Sequence, residues 1–130
     1  MDDPRTPLSR ARGLGAAKRG VGHFIGQRVS GAALVILLCW GLSQTPFLVG
    51  GGYDFARTWL ASPLNVALIS LLLAVGLYHA RLGMAVIIED YVQAPIPRTA
   101  LLILNVFVAA ALGVVGIVSL LKVAFIGGGG

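Results

Sequence analysis

Charged residues are scarce in this sequence. Only 12% of the 130 residues are Asp, Glu, Lys or Arg, whereas 57% are hydrophobic, and the mean hydropathy is +0.88. A soluble domain of this length needs a polar surface, and so few charges cannot cover one, which indicates lipid as the solvent. The length allows one domain. We therefore predict an all-α membrane protein with three transmembrane helices.

Cysteine and histidine are also rare. Cys39 is the sole cysteine, so an intramolecular disulfide is excluded, and one thiol cannot form a metal site by itself. The two histidines are His23 and His79. His23 precedes the first apolar span and is expected at the cytoplasmic surface, where it has no assigned role. His79 lies inside an apolar span, which makes it the first candidate for function.

Acidic residues number 5 against 10 basic ones, which gives a net charge of +5. The distribution of the basic residues argues against a nucleic-acid groove and instead indicates membrane topology. Most of them precede the first apolar span: Arg5, Arg10, Arg12, Lys18, Arg19 and Arg28. No A-x-A-like cleavage site follows that span, so we interpret residues 1–27 as a retained cytoplasmic arm. Three crossings then place the C-terminus in the periplasm.

The apolar runs predict three spans, at about residues 28–49, 63–92 and 98–126, which together form an anchor domain over 28–126. A loop is expected over 50–62, because it contains three consecutive glycines and several polar residues. Ser62-Pro63 is typical of a helix start. Pro95 and Pro97 are expected in the short connection to the third span, and residues 127–130 form a glycine tail.

The second span carries His79 near the middle of the membrane. At ~100° per residue, Gly83, Val86 and Asp90 fall within about 40° of His79 on the helical wheel. Two interpretations compete. The histidine is hydrogen-bonded to a neighbouring helix across a glycine-lined contact, or it is an axial haem ligand beside glycines that make room for a flat macrocycle. The helix alone does not distinguish them. A bis-histidine haem would need its second ligand from another subunit.

Other polar residues near the cytoplasmic ends of the spans are weaker candidates. Asp90 and Tyr91 end the second span, where a tyrosine hydroxyl suits a quinone carbonyl and a carboxylate can support it. Arg28 opens the first span and is either a snorkelling anchor or a partner for a haem propionate. Arg81 points about 200° from His79, so we expect it to snorkel or to pair with another subunit.

These residues resemble a known family. His79-x-x-x-Gly83, followed by Asp90-Tyr91 eleven and twelve residues after the histidine, resembles the D-type hydrophobic membrane anchor subunit of proteobacterial succinate dehydrogenase, respiratory complex II. Gln27-Arg28 before the first span is similar too, as is the stretch from Trp59 to Asn65. The resemblance covers nearly the whole chain. No second histidine follows Gly83, which favours the D-type over the C-type anchor.

The resemblance implies a non-catalytic subunit of a succinate:quinone oxidoreductase in the bacterial inner membrane. Its partners would be the C-type cytochrome b anchor, the iron–sulfur subunit and the flavoprotein, with FAD and iron–sulfur clusters confined to the latter two. One haem b would be shared between the anchors, and ubiquinone would be the substrate. His79 would be the axial ligand of the haem iron. Tyr91 would bind the quinone with Asp90 in support, and Arg28 would lie near the quinone and the haem propionates.

Two alternatives remain open from the sequence. A fumarate reductase anchor differs in physiological direction and in quinone. A structural membrane protein with a packing histidine at position 79 would bind no haem. In either case the chain itself is predicted to contain no catalytic residue and to bind no nucleic acid.

Overall fold

A computed structural model describes residues 6–8 and 17–126 of the chain. Helix α1 runs from Ala17 to Leu60, α2 from Pro63 to Tyr91 and α3 from Pro95 to Ile126. All three are long and apolar enough to cross a membrane, which confirms the predicted all-α class with three spans. The glycine tail, and residues 1–5 and 9–16 of the basic arm, lie outside the described residues. The membrane boundaries at 28–49, 63–92 and 98–126, and the orientation of the termini, stay predictions.

Helix α1 is interrupted at Gly52. This residue has φ 71° and ψ −171°, a backbone conformation that essentially only glycine adopts. The short segment after it folds back, since Trp59 stacks on Trp40 with ring centroids 5.9 Å apart. The prediction of a loop over 50–62 is therefore wrong. The chain is helical before and after the break at Gly52, as far as Leu60, and only Ala61 and Ser62 connect α1 to α2. Three consecutive glycines make a sharp bend possible without a long loop.

Proline positions set the other helix boundaries. Pro63 opens α2 after Ser62 as expected, although the Ser62 side chain makes no capping hydrogen bond. Pro95 opens α3, so both Pro95 and Pro97 lie in the first turn rather than in a connection. Proline is tolerated there because the first backbone N–H groups of a helix have no partner within it.

Helix α2 is central in the bundle and packs against both α1 and α3, which barely touch each other. Small residues of α3 face α2: a Cβ added at Gly113 would lie 3.5 Å from Leu77, and one at Gly116 would lie 2.5 Å from Leu73. Few side chains are buried within these helices, and large apolar side chains are exposed along each of them. Such surfaces require lipid or other protein chains as their environment.

Candidate functional site

The site is centred on the contact between His79 of α2 and Ser30 of α1. Ser30 Oγ lies 2.9 Å from His79 Nδ1, 2.6 Å from the carbonyl oxygen of Gly26 and 3.2 Å from that of Gln27. Ser30 is 6% exposed and His79 is half-buried. Among the described residues, Ser30 is the sole hydrogen-bond partner of the imidazole, so Nε2 has none. Helix α1 therefore holds Nδ1 of the imidazole, and Nε2 remains available to bind a ligand.

Glycines bring the two helices close together at this level. A Cβ at Gly31 would lie 3.4 Å from His79 Cε1, and one at Gly83 would lie 3.7 Å from Gln27 Nε2. These contacts fix an antiparallel register in which residue 31 faces residue 79 and residue 27 faces residue 83. The sequence predicts that Gly83 shares a face with His79, and the structure confirms that both face α1.

Two buried polar atoms of α1 have no hydrogen-bond partner among the described residues. His23 Nε2 and Gln27 Oε1 are buried and make no hydrogen bond in the part of the chain that the structure describes. They lie one helical turn apart on α1, on the same face as Ser30. The register puts His23 about eight residues, or roughly 12 Å, from the level of His79. His23 is therefore too far along the bundle to act together with His79, although its Nε2 is more enclosed than a surface position predicts.

Arg28 lies close to the depth of His79 but on another side of α1. It precedes Ser30 by two positions, which corresponds to about 200° on the helical wheel. Its guanidinium stacks over the Phe24 ring at 5.2 Å and is exposed. Since residue 28 is level with residue 82 in this register, Arg28 is within roughly 5 Å of the level of His79 and about 14 Å from that of Tyr91 along the bundle.

Arg81 is half-buried between α2 and α3. Its guanidinium lies 5.7 Å from the centroid of the Tyr78 ring, and its carbonyl oxygen accepts a hydrogen bond from Asn105 Nδ2 at 2.9 Å. Arg81 and Arg28 thus both stack on aromatic rings. Within residues 6–8 and 17–126, neither of them forms a salt bridge. Arg81 points away from the α1 side of α2, as the helical wheel predicts.

Asp90 and Tyr91 are exposed at the last turn of α2. Tyr91 is 83% exposed, and the Asp90 backbone carbonyl oxygen accepts a hydrogen bond from Gln93 Nε2 at 3.2 Å. Twelve residues of helix separate Tyr91 from His79, about 18 Å. The structure therefore brings His79 and Ser30 together but not Arg28, Asp90 or Tyr91, whose roles stay predictions.

Across the described ranges, no three or more His, Cys, Asp or Glu side chains come together as a metal site. A histidine with one free nitrogen in an apolar bundle can bind a metal that is already held by a macrocycle, or it can hydrogen-bond to a neighbouring subunit.

Comparisons with known proteins agree with the sequence resemblance. The family model described as succinate dehydrogenase/fumarate reductase transmembrane subunit matches residues 2–118. A protein of Rickettsia bellii is 38% identical over 103 residues, which are 78% of this chain and 81% of that protein. One of Rickettsia conorii is 33% identical over 78% of this chain and 82% of its own length.

A more distant relative from Paracoccus denitrificans is 27% identical over 78% of this chain and 79% of its own length. All three relatives are named succinate dehydrogenase hydrophobic membrane anchor subunit. No solved structure matches the chain significantly.

Proposed function

The chain belongs to the family of succinate dehydrogenase/fumarate reductase transmembrane subunits, and we propose that it is the D-type anchor that attaches succinate dehydrogenase to the bacterial inner membrane. The similar proteins from Rickettsia and Paracoccus carry the name of that subunit. Three helices that can each span a bilayer fit the role of an anchor. Its function is to hold a haem and part of a quinone site where the electrons leave the soluble subunits.

The observation that carries the haem proposal is the state of His79. Its Nδ1 is occupied by Ser30, while Nε2 has no partner among the described residues. Histidines that bind metals are usually held in this way, with one nitrogen fixed by a protein group and the other on the metal. His79 Nε2 would hold the haem iron, and the haem would supply a one-electron centre within the membrane. Gly31 faces the Cε1 edge of the ring, where an added Cβ would lie only 3.4 Å from Cε1.

A second histidine at this level is absent from the described residues, because His23 lies roughly 12 Å further along the bundle. A bis-histidine haem would therefore take its other ligand from a partner subunit. We assign that ligand to the C-type cytochrome b anchor, packed against the exposed apolar surfaces of these helices. The flavoprotein and the iron–sulfur subunit would attach on the cytoplasmic side, where α2 ends.

The polar residues around the site lie at two different levels along the bundle. Arg28 lies near the level of His79, so its proposed partner is a haem propionate, for which a guanidinium is a bidentate donor. Asp90 and Tyr91 lie about 17 Å and 18 Å away along α2, at the cytoplasmic end where iron–sulfur clusters would deliver electrons. We propose that the Tyr91 hydroxyl donates a hydrogen bond to ubiquinone and that Asp90 supports it.

Membrane attachment tests the proposal directly. Deleting the gene for this chain should release succinate dehydrogenase activity, measured with a soluble dye as electron acceptor, from the membrane fraction into the supernatant. Re-expressing the native chain should return the activity to the membrane. Activity that stays on the membrane in the deletion strain would refute the anchor role. If fumarate-reducing activity moves instead, the chain is the fumarate reductase anchor that the family description also covers.

A further inference from the structure

The hydrogen bonds of Ser30 determine which nitrogen of His79 carries the proton. A serine hydroxyl has one proton to donate and two lone pairs that accept. The shortest contact of Ser30 Oγ is the 2.6 Å one with the carbonyl oxygen of Gly26. A carbonyl oxygen can only accept, so the hydroxyl proton points to Gly26, with the Gln27 carbonyl oxygen at 3.2 Å as a second acceptor on the same helix. Oγ then accepts a proton from its one other neighbour that can donate.

That other neighbour is His79 Nδ1, at 2.9 Å. With the hydroxyl proton already committed to α1, this contact is a hydrogen bond in which Nδ1–H donates to Ser30 Oγ. In a neutral imidazole the second nitrogen then has no proton and presents its lone pair. Nε2 is therefore the nitrogen that can bind a metal, without any rearrangement of the histidine.

We infer that Ser30 is a positioning residue for the metal ligand: it fixes the tautomer and ring orientation of His79 and thereby tunes the redox centre. The inference rests on the proposed function, since it concerns the same histidine. Ser30 is 6% exposed, so water does not compete for the bond. An acceptor on Nδ1–H makes Nε2 a stronger electron donor, which favours the oxidised over the reduced metal.

Four side chains at position 30 separate this role from simple packing. Threonine keeps a hydroxyl acceptor, the sulfur of cysteine is a weak one, and alanine has none. Threonine and cysteine are similar in size, so a packing role predicts that they behave alike, whereas the positioning role predicts that they differ. Ser43 provides the matched control, because its Oγ donates to the carbonyl oxygen of Trp40 at 2.6 Å in the same helix but contacts no histidine.

The experiment uses the assembled complex, purified with the native chain and with Ser30→Thr, Ser30→Cys, Ser30→Ala and Ser43→Ala. The haem content, the electron paramagnetic resonance spectrum of the oxidised haem and its midpoint potential are measured. Ser30→Ala should bind haem about 10-fold more weakly, with a raised potential and a shifted spectrum. Ser30→Cys should be intermediate, and Ser30→Thr and Ser43→Ala should match the native complex.

Two results would overturn the inference while leaving the proposed function standing. In the first, Ser30→Ala has the same haem content, spectrum and midpoint potential as Ser43→Ala. In the second, Ser30→Thr and Ser30→Cys have the same midpoint potential, shifted from that of the native complex. If Ser30→Ala does not assemble, the comparison of threonine with cysteine still decides. A native complex without haem would refute the haem part of the proposed function, and the inference with it.

Discussion

Replacing Gly31 by valine should displace His79 and weaken haem binding. A Cβ at this position already lies 3.4 Å from His79 Cε1, and a γ carbon can extend about 1.5 Å further. A γ methyl directed at the ring would come within about 2 Å of it, well inside the 3.5–4.0 Å of carbon contact. A β-branched side chain has one preferred rotamer in a helix, so the imidazole must move and its bond to Ser30 must lengthen.

The expected size of the effect follows from overpacking costs of about 1–3 kcal/mol. If all of this free energy goes into displacing the imidazole, haem binding becomes roughly 5- to 150-fold weaker. The matched control is Gly41→Val. Gly41 lies on the same helix and also faces α2, but its nearest neighbour is Leu72 Cδ2 at 3.7 Å. Haem content of the purified complex is the assay. Full haem content in Gly31→Val, or equal losses in both variants, would refute the reasoning.

Three further predictions concern the quinone site and the bundle. Tyr91→Phe should slow quinone reduction while leaving haem content and assembly unchanged, because Tyr91 is 83% exposed; normal succinate:quinone turnover would remove Tyr91 from the site. Gly116→Ala should lower the free energy of unfolding in detergent by about 1 kcal/mol, because its added Cβ would lie 2.5 Å from Leu73. Gly113→Ala should be neutral or slightly stabilising, since its added Cβ meets Leu77 at an ordinary 3.5 Å. Equal unfolding midpoints of the two variants would contradict this. Gly52→Ala should cost about 1–3 kcal/mol because of its positive φ, while Gly50→Ala should gain up to about 1 kcal/mol of helix propensity; thermal unfolding of both variants measures the difference.

The helices and the position of His79 could be predicted from the sequence because both depend on local patterns. Apolar runs of sufficient length, and prolines at helix starts, give the number of spans and their approximate ends. His79 stands out because an ionisable residue is rare inside such a run. The fold-back at Gly52 could not be predicted in the same way, since three glycines are compatible with a loop as well as with a sharp bend, and the contact of Trp40 with Trp59 decides between them.

The contribution of Ser30 depends on the register of α1 against α2, which no local pattern fixes. A serine beside Arg28 is an unremarkable polar residue in the sequence. Only the close approach at Gly31 and Gly83 brings its hydroxyl to His79. The same register places Arg28 near the depth of His79, away from Tyr91, although the sequence alone places both near the cytoplasmic surface.

The optical difference spectrum of the purified complex, dithionite-reduced minus oxidised, tests the central claim most directly. The native complex should show the α-band of a b-type haem, His79→Ala should lose or strongly perturb it, and His23→Ala should keep it. An intact complex without this band, or a band that is unchanged in His79→Ala, would contradict the assignment of His79 as the haem ligand and leave it as a packing histidine.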